Sequence, residues 1–474
     1  MSSIDVRCGL PGEWPDNVTT EIRQELKRLN QKVVVLDDDP TGTQTVHDIP
    51  VLMDWDVDHL RAEFRNTLPA FYILTNSRSR TAAEACELNR QIAINLNVAA
   101  SQAKSDFVVI SRSDSTLRGH FPREVDCLMH ALNRRSNVVI LLPFFAEGGR
   151  ITVGDVHYVT QGQKLVPAGE TEFARDPAFG YRASNLREWV EEKTQGRITA
   201  ESVASISLDD IRVGGPDKIS RRLLSLEPGT VCIVNCISTR DLEVFTLGLL
   251  RAELSGKAFL YRTAASFVPV RSGIDRQPLL SVQEVCHRDV GGGLVVCGSF
   301  VSQTTSQLEV LLRETTVEGV ELEVPALLNP DKRHGEVLRL ARKSSQSIRR
   351  GKTVAIFTTR ELIATGNAEE ALSLGQYISA ALVDVVRSID VRPSYVIAKG
   401  GITSSDIATR ALNVKRAMIL GQVLPGVSVW ELGHESRYPG LAYVVFPGNV
   451  GGPESLAKIV GMWDEPVLAG QQSE

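Results

Sequence analysis

Residues 33–42 read VVVLDDDPTG, four apolar residues followed directly by three carboxylates and a turn. A short β-branched run of this kind is typical of a buried strand, and Pro and Gly close together are typical of the turn that ends it. Three adjacent carboxylates repel one another, so a strand end holds them only if a cation, a metal or a substrate hydroxyl compensates. The stretch therefore predicts a parallel strand that ends in a turn, and ligands of such sheets bind beyond the carboxyl ends of the strands.

The same pattern recurs along the chain between longer amphipathic stretches, and this alternation is typical of parallel α/β sheets. The short apolar runs lie at 33–36, 71–75, 107–110, 138–142 and 231–234, then at 295–297, 354–357, 395–398, 417–420 and 443–446. Ten buried strands are too many for one compact sheet. We therefore predict an α/β protein of two domains, each a mostly parallel sheet flanked by helices.

The boundary is expected at 266–293, which carries two prolines, scattered charges and three consecutive glycines. The predicted organisation is an N-terminal arm at 1–31, a first domain at 32–265, the linker 266–293, a second domain at 294–465 and a tail at 466–474. One polar helix is expected at 18–29. Residues 145–210 are rich in Gly, Pro and acids, which predicts an excursion from the first sheet of the kind that carries a lid or substrate loop.

Composition excludes several classes of function. With 52 Lys and Arg against 57 Asp and Glu, the net charge of −5 gives no field that attracts nucleic acid or an anionic membrane. No run approaches the length of a membrane helix, and the first residues lack the basic end and apolar stretch of a signal peptide. The seven cysteines have no zinc-binding spacing, so reduced thiols in a cytoplasmic protein are expected.

Three successive strands of the first half end in dense polar clusters. They are Asp37 to Thr45, Asn76 to Arg80, and Ser111 to Gly119. If the strands are neighbours, their acids and guanidiniums converge at one edge of the sheet. The alternative is that they are solvated turns and helix caps, for which Asp, Ser and Thr are suited in any protein.

In the second half the strands end in glycine and hydroxyl residues. The three turns are Gly298-Ser299-Phe300, Lys399 to Asp406, and Pro447 to Glu454, which reads PGNVGGPE. A glycine turn that leads into a helix exposes backbone N–H groups, which suits a phosphate. Neither GxGxxG nor GxxxxGK[ST] occurs, so dinucleotide binding and the common NTPase loop are disfavoured.

At these residues the chain resembles the four-carbon acid sugar kinase family, over roughly residues 33 to 463. Residues 38–42 resemble the family's Asp-Asp-x-Thr-Gly turn, and residues 112–119, RSDSTLRG, are similar to its Lys-x-Asp-Ser-Thr-Leu-Arg-Gly segment. The turns at 298–301, 400–403 and 448–453 are similar to its nucleotide turns. The chain departs from the family at Arg112, where Lys is usual, at Val301, where Ser stands, and at Ile402, where an acid is common, so it resembles a divergent member.

The resemblance implies an ATP-dependent kinase that phosphorylates a hydroxyl of a four-carbon sugar acid, a tetronate or oxo-tetronate. The first domain would hold the acid, the second ATP, and the active site would lie in the cleft between them. Asp38 is the first choice for the base that orients or deprotonates the attacking hydroxyl, and Asp114 the second. The predicted substrate-binding residues are Asp38, Arg78, Arg112, Asp114 and Ser115. The predicted nucleotide-binding residues are Ser299, Gly400, Gly401, Ile402, Thr403, Gly448, Asn449, Val450 and Gly451.

Mg²⁺ is expected beside the phosphates, with protein ligands that the sequence does not identify. The expected partners are the sugar acid and ATP, with neither nucleic acid nor membrane, and a homodimer is left open. Two alternatives remain at this point: a binding or regulatory protein that senses a sugar acid, and a non-kinase enzyme on the same scaffold. The missing GxGxxG argues against a dehydrogenase.

Overall fold

In a computed structural model of the chain, the described residues are 8–134, 137–285, 291–298, 301–359 and 368–464. The chain divides into two compact units, Met1–Arg276 and Gln277–Glu474. The division falls within the segment 266–293 that the sequence predicts as a linker, although a short helix at Phe267–Ser272 lies in the first unit. Residues 1–7 of the predicted arm and the predicted tail lie outside the described residues.

The first unit is built on a parallel sheet. Its strands are β1 (Lys32–Asp37), β2 (Ile49–Leu52), β3 (Ala70–Leu74), β4 (Phe107–Arg112), β5 (Val138–Leu142), β6 (Arg150–Val153), β7 (Val156–Gln161), β8 (Lys164–Pro167), β9 (Ala204–Ile206), β10 (Val231–Val234) and β11 (Phe259–Thr263). The order in the main sheet is β2-β3-β1-β4-β11-β5-β10-β9, with every pair parallel, while β6, β7 and β8 form a small antiparallel sheet.

Helices cover the strands of this sheet. They are α1 (Thr19–Leu29), α2 (Val57–Arg65), α3 (Ala82–Ala103), α4 (Arg123–Ala131), α5 (Leu186–Lys193), α6 (Leu208–Arg212), α7 (Gly215–Leu224), α8 (Thr239–Leu254) and α9 (Phe267–Ser272). Strand β1 is buried along its whole length, because apolar side chains pack on both of its faces, as parallel sheets require. Val34, Phe71 and Val109 belong to one core cluster that continues into α3 and α4.

The register of the central strands decides where the polar clusters lie. Asp37, the last residue of β1, pairs with Leu74 of β3 on one side and with Arg112 of β4 on the other. These three strands are parallel and end at the same level, so the turns that follow them lie side by side.

The second unit has a mixed sheet. Its strands are β12 (Leu294–Cys297), β13 (Glu318–Leu322), β14 (Val354–Thr358), β15 (Tyr395–Lys399), β16 (Arg416–Leu424), β17 (Val427–Leu432) and β18 (Ala442–Phe446). The order is β13-β14-β12-β15-β18-β17-β16, with β17 antiparallel to both of its neighbours and the remaining pairs parallel. The helices are α10 (Val282–Val285), α11 (Ser302–Glu314), α12 (Val324–Leu328), α13 (Pro330–Arg349), α14 (Ala368–Ser388), α15 (Gly401–Asp406) and α16 (Ser455–Asp464).

The predicted α/β class is confirmed, because within each unit most neighbouring strands of the large sheet are parallel and helices flank them. Each of the ten predicted runs forms a strand, and the helix expected at 18–29 is α1. The excursion at 145–210 is more ordered than its composition indicates, because it contains β6, β7 and β8. Within the described residues, no helix is long and apolar enough to cross a membrane.

The expectation that all thiols are reduced is wrong for one pair. Cys86 on α3 and Cys127 on α4 form a disulfide, with their Cα atoms 5.6 Å apart. The two residues are 41 positions apart in the chain, and only the packing of α3 against α4 brings them together. The sequence carries no local spacing that identifies such a pair.

Candidate functional site

The first site residues lie where β1 and β4 end. Arg112 Nη1 lies 2.9 Å from Asp37 Oδ1 and 3.3 Å from Asp38 Oδ1, so one guanidinium joins two carboxylates of the first cluster. All three side chains are buried. The close approach requires Gly42, because a Cβ at that position would lie 2.1 Å from Asp37 Oδ2 and 2.5 Å from Arg112 Cζ.

Arg78 joins the clusters that follow all three strands. It lies in the helical turn Ser77–Ser79 directly after β3. Its Nη2 lies 2.7 Å from Asp39 Oδ2, its Nε 3.3 Å from Asp38 Oδ2 and its Nη1 3.8 Å from Asp114 Oδ1. The predicted convergence of acids and guanidiniums at one edge of the first sheet is therefore present, and the interpretation as independent solvated turns fails here.

The carboxyl groups of this cluster differ in basicity. Burial raises the pKa of Asp37 to about 7 against the opposing charge of Arg112, and burial raises the pKa of Asp38 against Arg78 and Arg112. For Asp114, burial acts in the same direction, but Arg118, Arg78 and the Thr116 hydroxyl outweigh it and hold the pKa well below its usual range. Asp38 Oδ2 is buried and has no hydrogen-bond partner within the described residues.

Residues 113–119 form the loop predicted to carry Asp114 and Ser115. Arg118 Nε donates to Asp114 Oδ2 at 2.7 Å, and Leu117 and Gly119 have φ angles of 68° and 127°. A φ of 68° is uncommon for leucine, so the surrounding contacts must hold the loop in this conformation.

The excursion at 145–210 supplies those contacts. His157 is fully buried on β7, and its Nε2 lies 2.8 Å from the backbone oxygen of Ser115. The Tyr181 hydroxyl donates to the Thr116 backbone oxygen at 2.7 Å. Burial lowers the pKa of His157 to about 4, so the ring is neutral and supports the loop.

Sequence reasoning missed Arg262 and Glu124. Arg262, on β11, donates from Nη1 to Ser111 Oγ at 2.8 Å and to Glu124 Oε2 at 3.1 Å. Glu124, on α4, also accepts from the Ser77 hydroxyl. The signal available in the sequence is the run 259–263, FLYRT, which places an arginine at the end of an apolar segment.

In the second unit, the turn after β18 has most of its carbonyl oxygens held by side chains. Gln307 Nε2 donates to the oxygens of Val450 and Gly452, both at 2.9 Å, and the Thr304 hydroxyl donates to that of Gly448 at 3.1 Å. Gln303 donates to the Gly451 oxygen. Within the part of this unit that the structure describes, no backbone N–H from Gly448 to Gly451 has a protein acceptor, so these N–H groups are available to an anion.

Lys399 supports the same turn from β15. It is fully buried, its Nζ donates to the Pro447 oxygen, and the Nζ lies 3.8 Å from the centre of the Phe446 ring. Burial lowers the pKa of Lys399 to about 7. Its side chain therefore connects the end of β15 with the turn after β18.

The remaining predicted nucleotide residues lie around α15. Gly400 precedes this helix with a φ of 111°, Gly401 is its first residue, and a Cβ on Gly298 would lie 2.4 Å from Thr403 Oγ1. Ile402 is 54% exposed and Val301 is 47% exposed. Asp406 accepts a hydrogen bond from the Ser379 hydroxyl, and its Oδ2 lies 3.5 Å from Arg410 Nη1. Ser299, also predicted as a nucleotide residue, lies outside the described residues.

Among the described residues, one group has the ligand spacing of a metal site, namely Asp54, Asp56 and His59. His59 Nδ1 lies 3.6 Å from Asp54 Oδ1, and Asp54 Oδ1 already accepts the backbone N–H of Asp56. A histidine in the set does not suit Mg²⁺, which prefers oxygen ligands. The part of the chain that the structure describes therefore identifies no protein ligands for the expected magnesium.

Two family models match this chain, one over its first half and one over its second half. Residues 33–271 match a family model described as "Sugar-binding N-terminal domain", and residues 294–456 match one described as "Nucleotide-binding C-terminal domain". The chain is 24% identical over 319 residues to a D-erythronate kinase of Heliobacterium modesticaldum. That match covers 67% of this chain and 65% of the relative, so the chain spans about two thirds of the relative's length.

Two solved structures have the same fold. A protein of Salmonella typhimurium LT2 aligns with a TM-score of 0.65 and 17% identity, over 91% of this chain and 98% of its own. A Haemophilus influenzae protein of the DUF1537 family aligns with a TM-score of 0.61 and 16% identity, over 91% of this chain and 100% of its own. With the two family models covering most of its length in the expected order, the chain belongs to the four-carbon acid sugar kinase family.

Proposed function

We propose that this protein is an ATP-dependent kinase that transfers the γ-phosphoryl group to a hydroxyl of a four-carbon sugar acid. The observation that carries the proposal is the cluster in which Arg78 contacts Asp38, Asp39 and Asp114 at the ends of three neighbouring strands. A small polyhydroxy acid needs donors for its carboxylate and acceptors for its hydroxyls, and this cluster supplies both within one site.

We propose Arg78 and Arg112 as the donors to the substrate carboxylate, with Ser115 as a further contact. Arg112 donates from Nη1 to Asp37 and Asp38, and we propose that its Nη2 donates to the substrate. The forked guanidinium binds a carboxylate through two N–H groups, where the lysine usual in the family acts as a point charge. The acid end of the substrate is therefore held more rigidly here.

Asp38 is the better base of the two predicted carboxylates. Its raised pKa favours acceptance of a proton, whereas the lowered pKa of Asp114 makes that group a weak base. In the proposed step Asp38 accepts the hydroxyl proton, the hydroxyl oxygen bonds to the γ-phosphorus, and the bond from that phosphorus to the bridging oxygen of ADP breaks. Asp114 instead orients Arg78 and Arg118.

The turn after β18 is the proposed site of the ATP phosphates. Side chains hold its carbonyl oxygens, and its N–H groups from Gly448 to Gly451 have no protein acceptor in the described part of the chain. The family's nucleotide model covers this turn. Mg²⁺, when bound, supplies charge neutralisation on the phosphates. Ile402 offers an apolar surface where relatives carry an acid, so it contributes packing to the nucleotide and no metal ligand.

The test is ADP release in a coupled assay with a panel of tetronates and oxo-tetronates, measured against the same mixture without an acid. We expect release that depends on one acid of the panel. A chain that binds an acid in calorimetry but releases no ADP would support the regulatory alternative and contradict the kinase.

A further inference from the structure

Three polar groups of the first unit face the same side of Gly119. A Cβ built on Gly119 would lie 2.9 Å from Arg262 Nη2, 3.2 Å from Ser113 Oγ and 3.4 Å from Asp38 Oδ2. The glycine leaves this side open, and its φ of 127° disfavours any other residue there. Ser113 and Arg262 also line a small cavity of about 20 Å³, room for about one water molecule, together with Asp114 and Thr263.

These groups require a particular chemistry of whatever lies beside them. Asp38 Oδ2 is an acceptor that receives no hydrogen bond within the described residues, although Arg78 Nε lies 3.3 Å away as an ion-pair partner, while Arg262 Nη2 is a donor. A substrate carboxylate at this place would be repelled by Asp38. A hydroxyl group satisfies both neighbours, because it donates its proton to Asp38 and accepts an N–H from Arg262.

We propose that Arg262 binds the substrate hydroxyl that lies against Asp38, and so selects which hydroxyl of the acid is presented to that base. The inference rests on the proposed function and extends it to a residue that neither the motifs nor the predicted site contains. Arg262 is thereby a specificity-determining residue for the position on the sugar acid that receives the phosphoryl group.

The guanidinium is held in place for this task. Its Nη1 donates to Ser111 Oγ and to Glu124 Oε2, and Glu124 in turn accepts from Ser77. Arg262 and Glu124 are each 4% exposed, so neither side chain has room to turn away. Nη1 is fully used by these two acceptors, and the other side of the fork is directed to the open side of Gly119. Glu124 is the positioning residue for Arg262.

The chain offers a matched control in Arg271, a buried arginine whose Nη2 lies 2.8 Å from the buried Glu253. Arg262→Lys and Arg271→Lys both keep the charge and lose the fork of a buried Arg–Glu pair. We expect calorimetry to give about 10-fold to 100-fold weaker sugar-acid binding for Arg262→Lys, since a hydrogen bond to the ligand is lost. ATP affinity should be unchanged in both variants, and sugar-acid affinity unchanged in Arg271→Lys.

Substrate analogues identify the group that Arg262 binds. In a series of four-carbon acids that each lack one hydroxyl, we expect one member to bind wild type and Arg262→Lys equally, because the partner of Arg262 is missing from it. The contrary result is that the intact acid and every analogue bind Arg262→Lys more weakly than wild type by the same factor. Arg262 would then bind the carboxylate, which all of them share, and the inference would be wrong. Equal affinity of wild type and variant for the intact acid would also overturn it.

A second variant tests the same inference in case Arg262→Lys does not fold. Glu124→Gln keeps Arg262 but removes the charge that fixes it, and we expect weaker binding of the intact acid with no change for the same analogue. All of these experiments measure binding, so they test the role of Arg262 even if the chain binds acids without phosphorylating them. Binding without phosphorylation would contradict only the proposed kinase activity. A wild-type chain that binds no acid of the panel contradicts both.

Discussion

The guanidinium of Arg112 lies 2.9 Å from the carboxylate of Asp37, at positions that pair in the register of β4 and β1. Both side chains are buried, and Arg112 also lies 3.3 Å from Asp38. The residue predicted to clamp the substrate therefore has a second role, because it compensates two buried carboxylates. Any test of substrate binding by Arg112 has to separate the two roles.

Arg112→Ala should destabilise the chain by about 3 to 5 kcal/mol, because it leaves buried carboxylates without their cation. Arg112→Lys keeps the charge and should retain most of that stability, while binding the sugar acid about 10-fold more weakly through the loss of one donor. Urea unfolding measures the first effect and calorimetry the second. If Arg112→Lys binds the acid as wild type does, Arg112 serves the fold alone.

Asp37 should make stability depend on pH. Because its pKa is raised to about 7 in the folded chain, the folded state holds a proton that the unfolded state has released. The stability this provides is fully present below the unfolded pKa of about 4 and is lost as pH rises through 7. The difference in unfolding free energy between wild type and Asp37→Asn should therefore fall from pH 5 to pH 8.

Asp39→Asn is the control for that experiment. Although burial opposes it, Arg78 and Thr41 hold the pKa of Asp39 below its usual value. The stability that Asp39 contributes is present above its pKa in the unfolded chain and is lost only as pH falls through its lower pKa in the folded chain. This contribution should therefore stay constant from pH 5 to pH 8. A wild-type minus Asp37→Asn difference that is flat over this range would contradict the assignment for Asp37.

Gly451→Ala should weaken ATP binding by at least about 10-fold, since its φ of 83° disfavours a side chain and the new Cβ would lie 2.5 Å from Ser455 Oγ. Gly461→Ala, in the same unit within α16, is the matched control, because no heavy atom outside its chain neighbours and its own helix backbone lies within 4 Å of its Cβ position. Calorimetry with ATP compares the two variants. Equal affinities would place the phosphates elsewhere.

The Cys86–Cys127 disulfide should be detectable by mass spectrometry after alkylation of the denatured chain. We expect five of the seven cysteines to be labelled without reductant and all seven after reduction. A bridge of this kind stabilises a fold by about 2 to 4 kcal/mol, so reductant should lower the melting temperature. Seven labels without reductant would contradict the bridge and show the reduced thiols that the sequence predicts.

The sequence predicted the parts of this molecule that depend on local pattern. Strand β1 and the turn that follows it are readable because a β-branched run, Asp, Pro and Gly each have a local preference. The convergence of Asp38, Arg78 and Asp114 was predictable because parallel neighbouring strands end at one edge. Arg262 was not, since β11 enters the sheet between β4 and β5 from far along the chain, and no local signal encodes that insertion.

The excursion at 145–210 shows a second limit. Its short strands bury few residues each, and β7 has the alternating burial of a half-exposed strand, so the sequence carries no strong apolar run. His157 supports the site through its contact to the Ser115 backbone, which only the folded chain creates. Supporting residues of this kind depend on tertiary packing, and residue type alone does not distinguish them from surface histidines.

Asp38→Asn tests the assignment of the base. The amide keeps the size of the side chain but does not accept the hydroxyl proton, so we expect sugar-acid binding to remain while turnover falls by about 10²-fold to 10⁴-fold. Asp114→Asn is the comparison and should affect acid binding more than turnover, because Asp114 contacts Arg78 and Arg118. If Asp114→Asn loses turnover and Asp38→Asn keeps it, the two roles are reversed.

The most direct measurement is ³¹P NMR of the wild-type chain with ATP, Mg²⁺ and the tetronate panel. We expect the γ-phosphate signal of ATP to be replaced, mole for mole, by a phosphomonoester of one four-carbon acid and by ADP, and we expect Asp38→Asn to slow this conversion. ATP that persists with every acid of the panel, or that yields only inorganic phosphate, would contradict it.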